Sequence, residues 1–447
     1  MNNYLNEFNK KLVSAETAVK VVKSNDWVAY SHFVMFPETL DRALSLRAKK
    51  LTAVKVKTST AMHPVKVAEC DPKQDSFIYN SSFFSKHDRQ LGDKGLAHYI
   101  PGNFYEEVSC LKREHTARPN VAMIKTAPMD EKGNFNFGPS TTFTLATCES
   151  ADTVIIEVNN NVPVCSGGKN ESIHISQVDY IVESDDSLLP TIPEIAVTDT
   201  DRNIAEFIMK ELSDGCCLQL GIGGTSNAVG NMIADSDLKD LGFHSEMMND
   251  SFLKLFEKGR INGSKKNIDK NKHVYTFAMG SERLYRFLDK NPSCAAYSVD
   301  YTNDYEIIAK NDNAISINNA LQVDLYGQVC SESQGTRHIS GTGGQLDFLI
   351  GATKSKGGKA FICLHSTRKR NGKVVSNIVA DVQGIVTIPR SMAFYVVTEY
   401  GLANLKGKTT WERAEMIISL AHPMFRQELM EEAHRFSLFT RANRKYS

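Results

Sequence analysis

Short apolar runs recur along the first half of the chain, and helical segments separate them. The runs lie at residues 27–31, 51–58, 121–125 and 153–158. They are partly β-branched, of strand length, and bounded by charge, glycine or proline, which is typical of buried strands. Strands that alternate with helices predict a mostly parallel sheet and therefore an α/β fold.

The second half repeats this pattern after a polar interruption. Residues 183–200 contain Pro190, Pro193 and a cluster of serine and aspartate, which predicts a linker. We therefore expect two domains, at residues 1–190 and 191–447. The second has strand candidates at 217–220, 274–279, 314–318, 359–364 and 385–388, and it ends in helix from Trp411 onward.

The two halves open in a similar way. Residues 25–40 and 214–229 each contain a polar turn, a strand, a loop and a helix start. This similarity favours two open, mostly parallel-sheet domains related by internal duplication. Two independent strand–loop–helix units would give the same pattern, so both origins stay open.

Charge, cysteine content and hydrophobicity exclude several classes of ligand and location. The chain has 52 basic and 52 acidic residues, so no global field draws it to nucleic acid or to an anionic membrane. Its nine cysteines show no metal-ligand spacing, and an odd number cannot pair completely. No stretch approaches the roughly 18 apolar residues of a spanning helix. We expect a cytoplasmic protein without a metal.

A glycine-rich loop follows the strand at 217–220 and opens a helix. It contains Gly221, Ile222, Gly223, Gly224 and Thr225. Free backbone N–H groups at such a turn favour an anionic ligand, although a tight turn without a ligand would look alike. A dinucleotide fingerprint needs glycine where Ser226 stands, which disfavours an NAD-dependent dehydrogenase.

Further candidates lie in polar stretches beyond this loop. Glu246 stands in the stretch GFHSEMMND, and considered alone it would be interpreted as a surface charge. In the same stretch, His244 would be interpreted as a structural histidine and Asp250 as a helix cap. Gly341, Gly343 and Gly344 suit close approach to a carbonyl oxygen or to pantetheine, although a bulge or hairpin is the alternative. Asn318 could donate to an oxyanion or form a turn. Glu399 begins another polar turn.

These stretches, taken in order, resemble one family. The chain is similar to the acetyl-CoA hydrolase and transferase family, particularly 4-hydroxybutyrate and butyryl-CoA:acetate CoA-transferases. Five motifs of the second half and three of the first carry the resemblance: GIGG, GFHSEMMND, SINNALQVDLYGQV, SGTGGQLDF and VVTEYGLANLKG, with TAPMDEKGNFNFG, IIEVNNNVP and IHISQVDYIVE. Nearly the whole chain is covered, which implies domains of the CoA-transferase type.

The resemblance implies a chemistry and a set of site residues. Glu246 would be the nucleophile that carries CoA as a thioester, with an amide from Asn318 and a supporting role for Glu399. CoA contacts would come from residues 221–225 and from Gly343 and Gly344. The substrates would be an acyl-CoA and a short-chain carboxylate, and relatives of this kind predict a homodimer or homotetramer.

Some residues depart from the family pattern. Ser226 stands where proline is usual, Ser245 where threonine is common, and residues 391–394 where a more polar stretch is common. The last departure lies near the expected acid pocket and leaves the acid pair open. A short-chain acyl-CoA hydrolase using the same glutamate and a non-catalytic CoA-binding or nucleotide-binding protein are the alternatives. Lysine or arginine stands at positions 354, 356, 359, 368 and 369, and these side chains are available to bind the phosphates of CoA, but none of them is assigned that role.

Overall fold

The first of two large sheets, here called the N-terminal sheet, is built from the first half of the chain. The computed structural model describes residues 3–193 and 195–439. All pairs of this seven-stranded sheet are parallel. Its strands, in spatial order, are His98–Tyr99, Phe77–Ser81, Val54–Thr58, Trp27–Tyr30, Val121–Thr126, Thr153–Val158 and Tyr180–Glu183.

The second large sheet, the C-terminal sheet, comes from the second half. Its six strands are parallel except for an antiparallel hairpin at one edge. In spatial order they are Gly242–Phe243, Cys217–Leu220, Ala314–Asn319, Lys359–Cys363, Tyr395–Thr398 and Gly401–Asn404. The predicted α/β class and the mostly parallel sheets are thereby confirmed.

Shorter strands form small sheets around the two large ones. They pair as Asn134–Asn136 with Ser172–His174, Met247–Met248 with Phe277–Ala278, His273–Tyr275 with Cys294–Ala296, Gln322–Asp324 with Val329–Cys330 and Ile378–Val379, Ser333–Gln334 with Arg337–His338, and Thr367–Arg370 with Lys373–Ser376.

Helices connect the strands in both halves. The α-helices are Asn3–Lys11, Ala15–Ala18, Glu38–Ser45, Lys66–Glu69, Lys86–Gly92, Glu107–Lys112, Thr144–Ser150, Asp199–Met209, Gly224–Asp235, Asp250–Glu257, Glu282–Leu288, Val299–Thr302, Tyr305–Ile308, Gln345–Lys354, Thr410–Leu420 and Pro423–Arg435. The 3-10 helices are Val19–Val21, Phe33–Met35, Ala48–Lys50, Phe104–Glu106 and Ile175–Gln177. Among the described helices, none combines the length and the apolar character that crossing a membrane requires.

Local sequence explains where the chain changes direction between the halves. Residues 184–193 and 195–198 have no regular structure, as a linker rich in proline and aspartate predicts. The next helix, Asp199–Met209, begins with a capping box in which Thr198 and Asp201 satisfy each other's backbone N–H. The domain boundary at residue 190 and the internal duplication stay predictions, and residues 440–447 of the second unit lie outside the described residues.

Three details differ from the sequence-based expectations. The apolar run at 274–279 is not one strand, because the chain leaves one partner after Tyr275 and pairs with another from Phe277. The run at 385–388 forms only an isolated bridge at Ile388, and Ile385 is 45% exposed. The C-terminal helix is interrupted before Pro423, which begins a second helix.

The topology brings the carboxyl ends of strands from both sheets together. In the N-terminal sheet, Ser59 follows Val54–Thr58 and Ser82 follows Phe77–Ser81. In the C-terminal sheet, Ile222 follows Cys217–Leu220. All three line one cleft. Ligands of open parallel sheets bind at this end of the strands, so the cleft between the halves is the candidate site.

Candidate active site

Glu246 lies between two short strands that fix its backbone. Gly242–Phe243 is an edge strand of the C-terminal sheet, and Met247–Met248 pairs with Phe277–Ala278. The carbonyl oxygen of Glu246 accepts the Thr276 N–H at 3.0 Å. Glu246 therefore stands between two short strands, and its side chain lines the cleft.

The carboxylate of Glu246 is met by two amides. The side-chain nitrogen of Asn303 donates to Oε2 at 2.7 Å, and the backbone amide of Gly344 also interacts with the carboxylate. A Cβ atom on Gly344 would lie 2.0 Å from the same oxygen. Only glycine therefore fits at position 344 without displacing the carboxylate.

Burial sets the protonation of Glu246. Removal from water raises the pKa of its carboxyl from 4.5 to about 7, and the two amide donors limit that rise. The side chain keeps partial exposure to the cleft. A carboxylate that titrates near neutrality and faces a cavity is a candidate for chemistry.

A second carboxyl group lies directly behind the first. The same nitrogen of Asn303 donates to Oδ2 of Asp347 at 3.2 Å. Asp347 is 1% exposed, and burial, together with the charge of Glu246, raises the pKa of its carboxyl well above the usual range. The backbone N–H of Tyr105, from the first half, also donates to this Oδ2 at 3.2 Å.

The cleft around Glu246 is lined by both halves of the chain. The first half contributes Phe33, Ser59, Thr60, Ser82, Phe83, Gly102, Phe104 and Glu107, and the second half contributes Ile222, Glu246, Phe277, Met279 and Gly343. Its walls are mainly apolar with a few hydroxyl groups, which is typical of sites for small organic ligands.

Aromatic rings form one wall of the cleft. The ring of Phe33 stacks on that of Phe277 with centroids 3.8 Å apart and planes 9° apart, and Phe104 meets Phe277 edge-on at 6.3 Å. Phe33 and Thr60 have positive φ angles of 56° and 54°. Such backbone conformations are unfavourable for residues other than glycine and cluster at functional sites.

The glycine-rich loop borders the same cleft through Ile222, which is 46% exposed. Gly223 has φ of 134°, and a Cβ there would lie 2.3 Å from the Asn319 amide nitrogen. Gly224 and Thr225 instead line a neighbouring cleft. Ile222 and Gly223 also line a third cleft, so the loop borders three cavities, and the close packing beneath Gly223 explains that glycine.

Comparison with known proteins decides the family. The N-terminal domain model of acetyl-CoA hydrolase/transferase matches residues 1–193, and the C-terminal domain model matches residues 280–433. The chain belongs to the acetyl-CoA hydrolase/transferase family.

Individual relatives align over nearly all of the chain. A probable butyrate:acetyl-CoA coenzyme A-transferase of Syntrophomonas wolfei is 47% identical, covering 98% of each chain. A butyryl-CoA:acetate CoA-transferase of Anaerostipes caccae is 45% identical, covering 99% of this chain and 100% of the relative. The crystal structure of RipA from Yersinia pestis superimposes with a TM-score of 0.89 at 34% identity, covering 98% of this chain and 100% of RipA.

The structure brings only some of the predicted site residues together. Ile222, Glu246 and Gly343 line one cleft, with Gly344 against the carboxylate. Asn318 donates its amide to Gln219 at 3.0 Å and to Ser316 at 2.8 Å within the C-terminal sheet. It lies in a strand rather than in a turn, and its oxyanion role stays a prediction.

Glu399 also lies away from the cleft that Glu246 lines. Its carboxylate accepts the backbone N–H of Ser366 at 2.9 Å and the hydroxyl of the same residue. Residue 365, next to this serine, lines the neighbouring cleft together with Gly224 and Arg368. A supporting role for Glu399 at the site therefore stays a prediction.

Two residues were expected to have structural roles, His244 as a structural histidine and Asp250 as a helix cap. His244 is buried, its Nε2 lies 2.8 Å from the Thr302 carbonyl oxygen, and burial lowers its pKa to about 3, so it is a neutral structural histidine. The cap of the helix Asp250–Glu257 is Asn249 rather than Asp250. Asp250 instead accepts the backbone N–H of Ser281 at 2.8 Å.

Sequence reasoning missed Asn303, Asp347 and the whole first-half wall of the cleft. Asn303 follows a four-residue helix and belongs to none of the motifs that carry the resemblance. A usable signal did exist for Ser59, which directly follows the run predicted as a strand at residues 51–58, because ligand sites lie at the carboxyl ends of parallel strands. The strand before Ser82 was not predicted.

Proposed function

We propose that this protein is a CoA-transferase that moves CoA between short-chain carboxylic acids through a covalent glutamyl-CoA thioester on Glu246. One observation carries the proposal: a buried carboxyl with a pKa of about 7 faces an apolar cleft and is held by two amide donors. The names of the relatives support butyryl-CoA and acetate as the substrate pair.

The first half-reaction uses the carboxylate as a nucleophile. A carboxylate oxygen of Glu246 attacks the thioester carbonyl, the carbon–sulfur bond breaks, and CoA leaves as thiolate from an acyl-glutamyl anhydride. The thiolate then attacks the glutamyl carbonyl, and the first acid leaves as carboxylate. Electrons balance without a proton transfer, because a carboxylate and a thioester yield a carboxylate and a new thioester.

The second half-reaction reverses these steps with another acid. Its carboxylate attacks the glutamyl thioester, CoA leaves and attacks the acyl carbonyl of the new anhydride, and the Glu246 carboxylate is regenerated. Each attack on the glutamyl carbonyl places negative charge on a side-chain oxygen of Glu246. The amides of Asn303 and Gly344 already face these oxygens, so they are the groups best placed to stabilise that charge.

The cleft fits a short apolar acid. Rings of Phe33, Phe104 and Phe277 offer contact area for an alkyl chain, and Ser59 and Thr60 also line the cleft. Contacts of this kind distinguish acids one methylene apart by only about 1–3 kcal/mol. We therefore expect overlapping use of acetate, propionate and butyrate rather than one exclusive pair.

The test is to trap the covalent enzyme. Intact mass is measured after mixing with butyryl-CoA without acceptor, and the adduct is mapped by peptide analysis after hydroxylamine treatment. We expect one CoA per chain at Glu246, lost in Glu246→Gln and kept in the control Glu428→Gln, an exposed glutamate of the C-terminal helix. Turnover of butyryl-CoA without adduct would refute the thioester. Product formation that needs no acceptor acid would identify a hydrolase.

A further inference from the structure

Asn303 connects two carboxyl groups through one nitrogen atom. Its Nδ2 lies 2.7 Å from Oε2 of Glu246 and 3.2 Å from Oδ2 of Asp347. Both Asn303 and Asp347 are buried, at 0% and 1% exposure. The two hydrogens of the amide therefore have one acceptor each, the nucleophile on one side and Asp347 on the other.

The opposite end of the Asn303 amide is not anchored. Its Oδ1 is buried and has no hydrogen-bond partner within the described part of the chain. A buried acceptor without a partner gives no preference for the observed orientation of the side chain. The orientation must therefore come from the nitrogen side, where the two carboxyl groups lie.

Asp347 is itself held rigidly. It lies in the first turn of the helix Gln345–Lys354, directly after the Gly343–Gly344 turn that borders Glu246. Its Oδ2 accepts two N–H groups, from Asn303 and from the Tyr105 backbone at 3.2 Å. Tyr105 stands beside Phe104 in the first-half wall of the cleft. Asp347 thus connects the amide donor to both halves.

We propose that Asp347 is a positioning residue for CoA transfer, whose carboxyl oxygen fixes the amide of Asn303 so that its nitrogen faces Glu246 throughout the reaction. This inference rests on the proposed function. Asp347 does not line the cleft, so it acts through Asn303 rather than on the substrate. A donor that is already oriented costs no reorganisation when charge develops on the glutamyl oxygen.

The two carboxyl groups differ in the role that they can take. Glu246 faces the cleft and must be ionised to attack a thioester. Asp347 is enclosed, and burial beside the Glu246 charge raises its pKa, which favours the neutral acid. Because both donors converge on Oδ2, the other oxygen is available to carry the proton. A neutral carbonyl acceptor is then sufficient, and a negative charge at position 347 is not needed.

Two variants separate this role from a purely structural one. Asp347→Leu keeps the branching at Cγ but replaces the acceptor oxygens with methyl groups, and we expect kcat for butyryl-CoA:acetate exchange to fall about 10- to 100-fold with KM changed less than about threefold. Asp347→Asn keeps a carbonyl oxygen of the same geometry, so it should retain most of the activity. The matched control is Asp199→Asn, since Asp199 also stands in the first turn of a helix but is exposed.

Further measurements keep the inference testable if Asp347→Leu folds poorly. Asp347→Ala also removes the acceptor and should lower kcat in the wild-type background. In an Asn303→Ala background, where no amide remains to be positioned, Asp347→Ala and wild-type Asp347 should give equal kcat, and the melting temperature of each variant shows whether it folds. Wild-type kcat in Asp347→Leu, or equal losses in the Leu and Asn variants, would overturn the positioning role while leaving CoA transfer intact. A wild-type enzyme without CoA transfer would overturn both proposals.

Discussion

Replacement of Glu246 by glutamine should stabilise the protein, and the gain should depend on pH. The carboxyl has a pKa of about 7 in the folded protein against 4.5 for the unperturbed group. Between these values the folded state holds a proton that the unfolded chain has released. The stability of the wild type therefore falls as pH rises from 4.5 to 7, whereas glutamine does not titrate.

The magnitude follows from the size of the shift. A rise from 4.5 to about 7 corresponds to about 3 kcal/mol at about 1.4 kcal/mol per unit. This figure is an upper bound, because the side chain keeps partial exposure to solvent. With an unfolding entropy of about 2 cal/mol/K per residue, a chain of 447 residues gains about 1 °C per kcal/mol.

Differential scanning calorimetry of the wild type and Glu246→Gln at pH 5 and pH 8 tests this reasoning. We expect the melting temperature of the variant to gain about 2 °C on the wild type between the two conditions. Glu428→Gln, the exposed control, should show the same difference at both pH values. Asp347→Asn reports any part of the titration that belongs to the neighbouring carboxyl. A difference for Glu246→Gln that is independent of pH would refute the burial of its charge.

Three further outcomes are expected. The kcat/KM of CoA transfer should rise with pH through an apparent pKa near 7, because Glu246 attacks only as carboxylate; a flat profile between pH 5.5 and 8 would contradict this. Gly344→Ala should lower kcat/KM at least about 100-fold, because the added Cβ would lie 2.0 Å from the Glu246 carboxylate. The control Gly168→Ala should keep full activity, because its Cβ would contact only Tyr297, at 3.6 Å. Phe277→Ala removes the ring that stacks on Phe33, so the preference for hexanoyl-CoA over butyryl-CoA should rise about tenfold; an unchanged ratio would show that this wall does not contact the acyl chain.

Local patterns predicted the large sheets because their strands are buried and continuous. The strand Thr153–Val158 was predicted at its observed bounds, since a β-branched run between polar residues fits a strand covered on both faces. The runs at 274–279 and 385–388 were wrongly predicted as single strands, because an apolar pattern does not show which strand the segment pairs with. In the first, the chain changes from one partner strand to another at Thr276. In the second, Ile385 and Val386 are exposed, and of its apolar residues only Ile388 is buried and paired.

Only the part of the candidate site that comes from the second half of the chain was predictable from the sequence. Glu246 and the glycine loops belong to contiguous motifs, so a resemblance along the chain identifies them. Phe33, Thr60 and Phe104 reach the same cleft only because the two halves close over it. Asn303 and Asp347 act through contacts with residues 57 and 44 positions away along the chain. Such contacts depend on tertiary structure, and no local pattern contains them.

Burial of Glu246 has opposite effects on the protein and on the reaction. In the folded protein it destabilises the carboxylate, which costs stability as pH rises from 4.5 to about 7. In the reaction, the same desolvation raises the basicity of a normally weak nucleophile while leaving about half of the sites ionised at pH 7, so the loss from protonation is only about twofold. Attack on a thioester moves the charge off the buried carboxylate and onto the departing thiolate, which relieves that cost. The stability lost at Glu246 is therefore a property that favours CoA transfer, and a variant that regains stability there should lose the covalent intermediate.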